Sequence, residues 1–286
     1  MTRVRVSLVA GLVAASLVAA ENGYPAFSPD GQWLVFSSDA AGNQDLYLAN
    51  RNGEEVVRLT MSTASETQPT WSPDGESVAY IRQPWNPTGE SALFIVDCKT
   101  KDNRRVGELS GVHLPSWAGD GRIYLSMRVN GQSDIFSVRS DGSDLVNHTN
   151  TPNVSEANVD VRDNLMVYDL PDGDDYAIEI LDLETGAKRV LKKGGLYWDP
   201  VWSANGKRLL IGVYAEPEAT MSRMTEFDLS GQIIKQWTPD NMNAFWPAVS
   251  PDGKTVVFSY SDQDFGVGEL YRLDFENGKI SRFLKP

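Results

Sequence analysis

The sequence predicts an all-β fold, namely a six-bladed β-propeller whose blades are four-stranded antiparallel sheets. The tetrapeptide Ser-Pro-Asp-Gly occurs at residues 28–31, 72–75 and 250–253, which is the first sign of a repeat. A proline or valine, followed two residues later by a large apolar or aromatic residue, recurs six times at intervals of 41 to 47 residues. These anchor residues are Pro25, Pro69, Pro115, Val159, Pro200 and Pro247. A fixed period of this size indicates a repeat architecture, and no segment of helical period interrupts it.

Each repeat is predicted to contain four strands joined by tight turns. In the tetrapeptide, proline presets φ at the second position of a type I turn and glycine tolerates positive φ at the fourth, so the motif joins strands one and two. In the second repeat, the strand-like runs 78–81, 93–96 and 105–106 follow that turn. A radial arrangement lets every small sheet pack against two neighbours. The tryptophans that share one repeat position are expected to be buried between blades: Trp71, Trp117 and Trp202.

Composition and charge narrow the class of function. The 286 residues are 41% hydrophobic, which is enough for a substantial core, and they carry a formal net charge of −13. That charge argues against a nucleic-acid partner held by a basic surface. The single cysteine, Cys98, excludes an internal disulfide framework and a cysteine-based zinc cluster. Two histidines, His113 and His148, leave little scope for histidine-based metal or acid–base chemistry.

The first twenty residues differ from the rest and are typical of a secretory signal peptide. Arg3 and Arg5 form a short basic region, residues 6–20 are apolar and alanine-rich, and small residues at 18–20 suit cleavage. No other segment is long and apolar enough to cross a bilayer. We therefore expect a signal peptide at 1–20, a propeller at 21–286, a periplasmic or secreted protein, and no membrane insertion after cleavage.

The repeat also resembles that of a known protein family. The run Pro-x-Trp-Ser-Pro-Asp-Gly at 69–75, with Asp-Leu-Tyr at 45–47 and Arg-Leu-Thr at 58–60, resembles the propeller repeat of the TolB family. The resemblance covers residues 23–286 and concerns the propeller part only, without the N-terminal domain of TolB. It implies a periplasmic scaffold that binds a protein or peptide partner, with envelope-associated proteins as candidates.

Strand order places the candidate site on one face of the ring. The loop before strand one and the loop between strands two and three share a face, and the tight turns occupy the other. The longer loops on the first face, where binding residues usually lie, are predicted at 83–91, 169–176, 215–223 and 262–268. The three residues before each anchor then line the mouth of the central channel. The residues predicted to bind a ligand or partner there are Asn22, Tyr24, Glu66, Gln68, His113, Glu156, Asn158, Tyr197, Trp198, Asp199, Phe245 and Trp246.

The chemistry of this set favours binding over catalysis. Aromatic, amide and acidic side chains suit a peptide, a sugar or a cation that is held by stacking and a few polar contacts. Acidic residues dominate the same loops, so the expected ligand is a basic peptide segment or a divalent cation. The alternative is that the aromatic rings pack between blades and the polar groups only solvate the channel. His113 taken alone is more typical of a hydrogen-bonded structural histidine than of a ligand-binding one.

The sequence predicts no cofactor, with one weak exception. Asp172, Asp174 and Asp175 lie in the acidic stretch 169–175 and are candidate calcium ligands, although their spacing does not match an EF-hand and a solvated loop is the simpler interpretation. No Gly-x-Ser-x-Gly motif is present, so a serine hydrolase is not expected. A carbohydrate-active enzyme, lyase- or glycosidase-like, or a glycan-binding protein stays open as the alternative, because the sequence does not give the separation of its carboxylates. We expect a monomer.

Overall fold

The computed structural model describes residues 20–84, 89–214, 221–261 and 268–285. Over these ranges the regular secondary structure consists of β-strands, as the sequence predicts. The predicted signal peptide lies outside the described residues apart from Ala20. None of the described segments forms a helix with the length and apolarity that a membrane span requires.

The strands form antiparallel sheets, each built from consecutive strands. The first sheet contains β1 (Asn22–Phe27), β2 (Trp33–Ser38), β3 (Asp45–Asn50) and β4 (Val56–Arg58). The second contains β5 (Ser65–Trp71), β6 (Ser77–Gln83), β7 (Ala92–Asp97) and β8 (Asn103–Arg105). The third contains β9 (Val112–Trp117), β10 (Arg122–Val129), β11 (Gln132–Arg139) and β12 (Val146–Asn147).

The remaining strands form two further sheets of unequal size. The larger contains β13 (Ala157–Arg162), β14 (Leu165–Asp172), β15 (Asp175–Asp182), β16 (Lys188–Trp202), β17 (Arg208–Tyr214), β18 (Ser222–Asp228) and β19 (Ile233–Gln236). The last sheet contains β20 (Ala244–Val249), β21 (Thr255–Tyr260), β22 (Glu269–Asp274) and β23 (Ile280–Arg282).

The predicted all-β propeller of antiparallel sheets is confirmed, but the prediction of six four-stranded blades is wrong. The described residues form four such sheets and one sheet of seven strands, in which the 15-residue strand β16 serves two repeats. Its first half pairs with β15, for example Val190 with Glu179, and its second half pairs with β17, for example Trp202 with Leu209. Residues 192–195, Lys-Lys-Gly-Gly, stay within this strand although Gly194 has a φ of 76°, and the pairing with β15 shifts register there.

The Ser-Pro-Asp-Gly turns have the predicted form. In the first turn the Gly31 N–H donates to the Ser28 carbonyl at 2.8 Å, and the φ of Gly31 is 65°. The Ser28 hydroxyl donates to Asp30 Oδ1 at 2.6 Å, and its oxygen accepts from the Trp33 N–H at 3.0 Å. The copies at 72–75 and 250–253 repeat these bonds. Each turn is therefore closed by its own side chains, which makes it independent of the rest of the fold.

Neighbouring sheets pack through their apolar faces, with the shared tryptophan position between them. Trp71 is 7% exposed within a cluster that joins the first sheet to the second, and its indole N–H donates to the Ala26 carbonyl at 3.0 Å. Trp202 is buried in the same way. Trp117 is half-buried against the equivalent cluster of the second and third sheets. The predicted burial is thus confirmed for Trp71 and Trp202 and holds in part for Trp117.

The last sheet packs against the first without exchanging a strand. Asn22 and Gly268 form a backbone bridge, with hydrogen bonds of 2.7 and 3.0 Å. Apolar side chains of both sheets share one buried cluster, and Lys285 Nζ lies 2.6 Å from Glu54 Oε1. In the described residues, ring closure therefore depends on packing and short polar contacts rather than on a shared sheet.

Only one of the four long loops predicted on the mouth face is described in full. Parts of the other three, at 85–88, 215–220 and 262–267, lie outside the described residues. The prediction of an irregular loop at 169–176 is wrong, because β14 and β15 continue through it and meet in a tight turn at Gly173-Asp174. Asp172 pairs with Asp175 at the tip, so strand pairing extends from the core to the end of the hairpin.

Candidate functional site

A β-bulge occurs at the same position in the first strand of each repeat. In β1 the residues paired with β2 change from Gly23 to Ala26, so that Tyr24 and Pro25 together oppose one residue. The same shift occurs in β5, β9, β13, β16 and β20. The anchor proline or valine is therefore the second residue of a bulge, and the residue before it is the first.

The first bulge residue has a left-handed backbone in all six repeats, with φ between 48° and 55°. These residues are Tyr24, Gln68, Leu114, Asn158, Asp199 and Trp246. Positive φ is uncommon outside glycine and costs on the order of 1–3 kcal/mol per residue. Six such residues at equivalent positions persist because the surrounding sheets hold them, and their side chains meet at the centre of the ring.

The bulge dipeptides line a cavity of about 140 Å³. All six contribute to it, and Val201 completes the lining. Because equivalent positions of every repeat meet there, the cavity lies in the central channel that the sequence predicts. Its anchor prolines and valine form apolar walls, while Gln68, Asn158 and Asp199 supply polar groups.

Two stacked aromatic rings form one side of the cavity, where the first sheet meets the last. The rings of Tyr24 and Trp246 have centroids 3.8 Å apart and planes inclined by 24°. The ring of Phe245 lies 5.9 Å from that of Trp246. Burial raises the pKa of Tyr24 to about 12, and a hydrogen bond with Gln68 acts in the opposite direction. Tyr24 therefore remains a neutral phenol at neutral pH and presents an apolar ring with one polar atom.

Two aspartates form the acidic part of the site. Asp169 is 1% exposed, and its Oδ2 accepts hydrogen bonds from Asn158 Nδ2 at 2.6 Å and from the Asp199 N–H at 3.1 Å. Burial, and then the charge of Asp199, raise the pKa of Asp169 to about 7. Burial also raises the pKa of Asp199 to about 6, opposed by a hydrogen bond from the Trp246 backbone. The charge of this pair therefore changes near neutral pH, as is common for groups at functional sites.

Polar side chains also connect neighbouring bulges. Gln68 Oε1 accepts a hydrogen bond of 2.8 Å from the N–H of Leu114, the bulge residue of the next repeat. Asp199 accepts in the same way from the backbone of Trp246. These side chains thus satisfy buried backbone donors of the next strand while they line the cavity.

Five of the twelve residues predicted to bind a ligand line this cavity: Tyr24, Gln68, Asn158, Asp199 and Trp246. Two residues of the site were missed by the sequence reasoning. The sequence places Leu114 at the channel mouth, directly before an anchor, but this apolar residue is not among those predicted to bind. Asp169 belongs to the acidic stretch 169–175, but it reaches Asn158 and Asp199 only because β14 pairs with β13 and packs against β16, which the sequence does not indicate.

Glu66 and Glu156 lie within the sheets and do not line the cavity. Glu66 is fully buried and accepts charge-assisted hydrogen bonds from Arg82 Nη2 at 2.7 Å and Arg82 Nε at 3.0 Å. Glu156 is 1% exposed, accepts from Thr149 Oγ1 at 3.2 Å, and has a pKa raised by burial. Both carboxyl groups hold strands together, and among the residues that line the cavity the acidic one is Asp199.

The remaining predicted residues lie around the cavity rather than on its lining. Asn22 is buried and takes part in ring closure through its backbone. Tyr197 packs in the core cluster that contains Trp202, and the ring of Trp198 lies 3.8 Å from that of Tyr176. These contacts agree with the alternative interpretation that part of the aromatic set packs between strands.

His113 lines a separate cleft of about 830 Å³ between the second and third sheets. Its Nε2 lies 3.4 Å from the hydroxyl oxygen of Ser91, which itself donates to the Val112 carbonyl at 2.7 Å. Burial lowers the pKa of His113, so the ring is neutral at pH 7. The contact is typical of a hydrogen-bonded structural histidine.

The weak calcium candidates lie at the tip of the β14–β15 hairpin. Asp172 and Asp174 are exposed, and Asp175 is half-buried at the start of β15. Within the described ranges, no group of three or more histidine, cysteine, aspartate or glutamate side chains is arranged to hold a metal ion.

Comparison with known proteins identifies the repeat. The TolB beta propeller domain family matches residues 11–84. The chain is 28% identical over 114 residues to the protein TolB homolog of Chlorobaculum tepidum, a match that covers 40% of this chain and 26% of that relative. It is 28% identical over 98 residues to the Tol-Pal system protein TolB of Alcanivorax borkumensis, covering 34% of this chain and 22% of that relative. The matches therefore span about a quarter of the relatives' length.

A solved structure extends the comparison over most of the chain. The putative TolB from Agrobacterium tumefaciens superposes with a TM-score of 0.69 at 17% identity, covering 80% of this chain and 84% of that chain. At 17% identity this comparison supports the fold alone.

Proposed function

Because the chain is a TolB-like β-propeller, we propose that it is a periplasmic scaffold that binds a protein or peptide partner at the mouth of its channel. The observation that carries the proposal is the ring of six left-handed bulge residues around one cavity. Strained backbone of this kind clusters at binding sites, and here it aims six side chains at one point.

The size of the cavity favours a protein partner over a free small molecule. Drug-sized ligands occupy pockets of about 300–1,000 Å³. A cavity of about 140 Å³ accommodates a single side chain of a partner that covers the mouth. The stacked rings of Tyr24 and Trp246 suit its apolar stem, and Asp199, which lines the cavity, suits a cationic head, as in lysine. We therefore favour a basic segment of the partner.

The predicted signal peptide and the similarity to a Tol-Pal system protein favour a partner in the cell envelope. Mass spectrometry of the protein from its native envelope fraction should find an N-terminus near Glu21. An intact Met1 in the cytosolic fraction would contradict the periplasmic part of the proposal.

Site-specific photo-cross-linking tests the proposed binding face. A photoreactive residue in place of Leu114 should cross-link an envelope protein, and the adduct should be lost when Asp199→Asn is added. A photoreactive residue in place of Asp141, exposed in a tight turn on the other face, is the matched control. If position 141 captures the partner and position 114 does not, the channel mouth is not the binding face.

A further inference from the structure

The first and second sheets show what a tryptophan does at the junction between neighbouring repeats. Trp71 lies against Val35, Leu48 and Leu59 in one buried cluster. Val35 and Leu48 are paired across the two middle strands, β2 and β3. Leu59 directly follows the outer strand β4, and its N–H donates to the Leu46 carbonyl of β3. The indole therefore fills the space above one defined set of three side chains.

The hydrogen-bond register gives the equivalent walls between the fifth and sixth repeats. Leu210 and Glu226 are aligned across β17 and β18 as Val35 and Leu48 are across β2 and β3. Trp237 takes the place of Leu59. Its N–H donates to the Met224 carbonyl, two residues before Glu226, as the Leu59 N–H donates to the Leu46 carbonyl, two residues before Leu48. Two of the three leucine and valine side chains that contact the indole in the first junction are thus replaced here, one by a carboxylate and one by an indole.

Val249 stands at the position of Trp71 in the sixth repeat, so this repeat position supplies no indole to the junction. A cavity of about 520 Å³ opens there, between the turns 203–206 and 250–253. Its lining includes Val249 and all three wall residues of the fifth repeat, together with Phe275. The cavity is therefore the space that a tryptophan occupies between the first and second sheets.

Two other junctions lack the tryptophan, and there the space is occupied. Between the third and fourth repeats Val161 replaces it, but Tyr124 and His148 bring in two rings with centroids 5.3 Å apart. Between the sixth and first repeats Phe27 stands at the position and leaves about 40 Å³. Other rings thus take the place of the tryptophan at both junctions. Beside Val249 the rings of Trp237 and Phe275 are also present, yet a cavity of about 520 Å³ remains.

The residues that line the cavity provide both apolar contacts for an aromatic ring and a hydrogen-bond acceptor for its N–H group. The ring centroids of Trp237 and Phe275 lie 4.6 Å apart and provide the apolar part of the lining, and Lys235 Nζ lies over the Trp237 ring, 3.6 Å from its centroid. Glu226 is 8% exposed, and its oxygens accept from Arg208 Nη1 at 3.0 Å and Trp237 Nε1 at 3.2 Å. A carboxylate has about four lone-pair sites, so Glu226 can accept a further hydrogen bond.

We propose that this cavity binds the indole ring of a tryptophan residue in a peptide segment of a partner protein. The size of the cavity favours a peptide over free indole, since a cavity of about 150 Å³ is enough for a single benzene ring. The remaining volume accommodates the backbone that carries the side chain. The site lies on the tight-turn face and does not depend on the proposed function of the channel mouth.

The test uses the full chain labelled with ¹⁵N and follows the indole N–H signal of Trp237, assigned with Trp237→Phe. The probe is acetyl-Gly-Trp-Gly-amide, and the matched control is the same peptide with leucine. The tryptophan peptide should shift this signal saturably and bind at least about tenfold more tightly than the leucine peptide, since aromatic and hydrogen-bond contacts are both lost with leucine. Equal affinities, or no shift of the signal, would overturn the proposal. Shifts caused by free indole but not by the peptide would overturn its peptide part.

Val249→Trp supplies the missing ring from the chain itself. We expect a higher melting temperature than that of the parent, because an existing cavity is filled, and loss of peptide binding. Val161→Trp is the matched control and should lower the melting temperature, because Tyr124 and His148 already occupy its junction. If both substitutions destabilise to the same extent, the cavity is not shaped for an indole. The peptide comparison uses the parent protein and decides the matter even if Val249→Trp does not fold.

Discussion

Replacing Asp169 by asparagine should make the protein's stability less sensitive to pH between 5 and 8. The pKa of Asp169 is raised to about 7 in the folded state, whereas an aspartate in an unfolded chain has a pKa of about 3.9. The folded protein therefore holds this proton more tightly than the unfolded chain. The resulting stabilisation is complete below the unfolded pKa and is lost as the pH rises through the folded pKa.

The magnitude follows from the interval between the two pKa values. Between pH 5 and 7 the group is protonated in the folded state and ionised in the unfolded one, and each pH unit changes the free energy of unfolding by about 1.4 kcal/mol. The parent should thus lose about 3 kcal/mol from this group between pH 5 and 8. Asparagine matches the shape of the protonated carboxyl group. Its oxygen can still accept the hydrogen bonds from Asn158 and the Asp199 N–H.

The assay is guanidinium unfolding of parent and variant at pH 5, 6, 7 and 8, followed by tryptophan fluorescence. The difference between the two proteins is the informative quantity, because burial lowers the pKa of His113 and of His148 and these groups act in the opposite sense in both. Relative to the parent, Asp169→Asn should gain about 3 kcal/mol as the pH rises from 5 to 8. Asp172→Asn, at an exposed position three residue pairs further along the β14–β15 hairpin, should give no such gain. Parallel pH profiles for Asp169→Asn and the parent would refute the reasoning.

Three further substitutions test the packing. Trp71→Ala should lower the free energy of unfolding by about 3–5 kcal/mol, and a loss below about 1 kcal/mol in denaturant unfolding would show that the repeats are misaligned. Gly53→Ala should lower the denaturation midpoint more than Gly173→Ala: both have positive φ, but a Cβ at Gly53 would lie 2.0 Å from the Phe283 carbonyl oxygen, whereas one at Gly173 meets nothing within 4 Å. Glu66→Gln should destabilise the fold by removing the buried partner of an arginine, while cross-linking from position 114 persists; a lost cross-link in a fully folded variant would instead place Glu66 in the binding site.

The sequence by itself determined the features that each repeat completes locally. The Ser-Pro-Asp-Gly turn is closed by its own serine and aspartate, as at Ser28 and Asp30, so its form follows wherever the tetrapeptide occurs. The buried position of Trp71 also follows from the period, because repetition puts the same residue at the same level of every sheet. The resemblance to TolB propellers depends on these same local motifs.

The tertiary structure decided everything that depends on which strands pair. Asp169 joins the site because β14 pairs with β13 and packs against β16, which brings its carboxyl group to Asn158 and Asp199, 11 and 30 residues away in the chain. The seven-stranded sheet arises because β16 finds a partner along each of its halves, which composition alone does not reveal. Turns are set by bonds between neighbouring residues, whereas cavities and charged pairs are set by contacts between distant strands, and only the assembled sheets define those contacts.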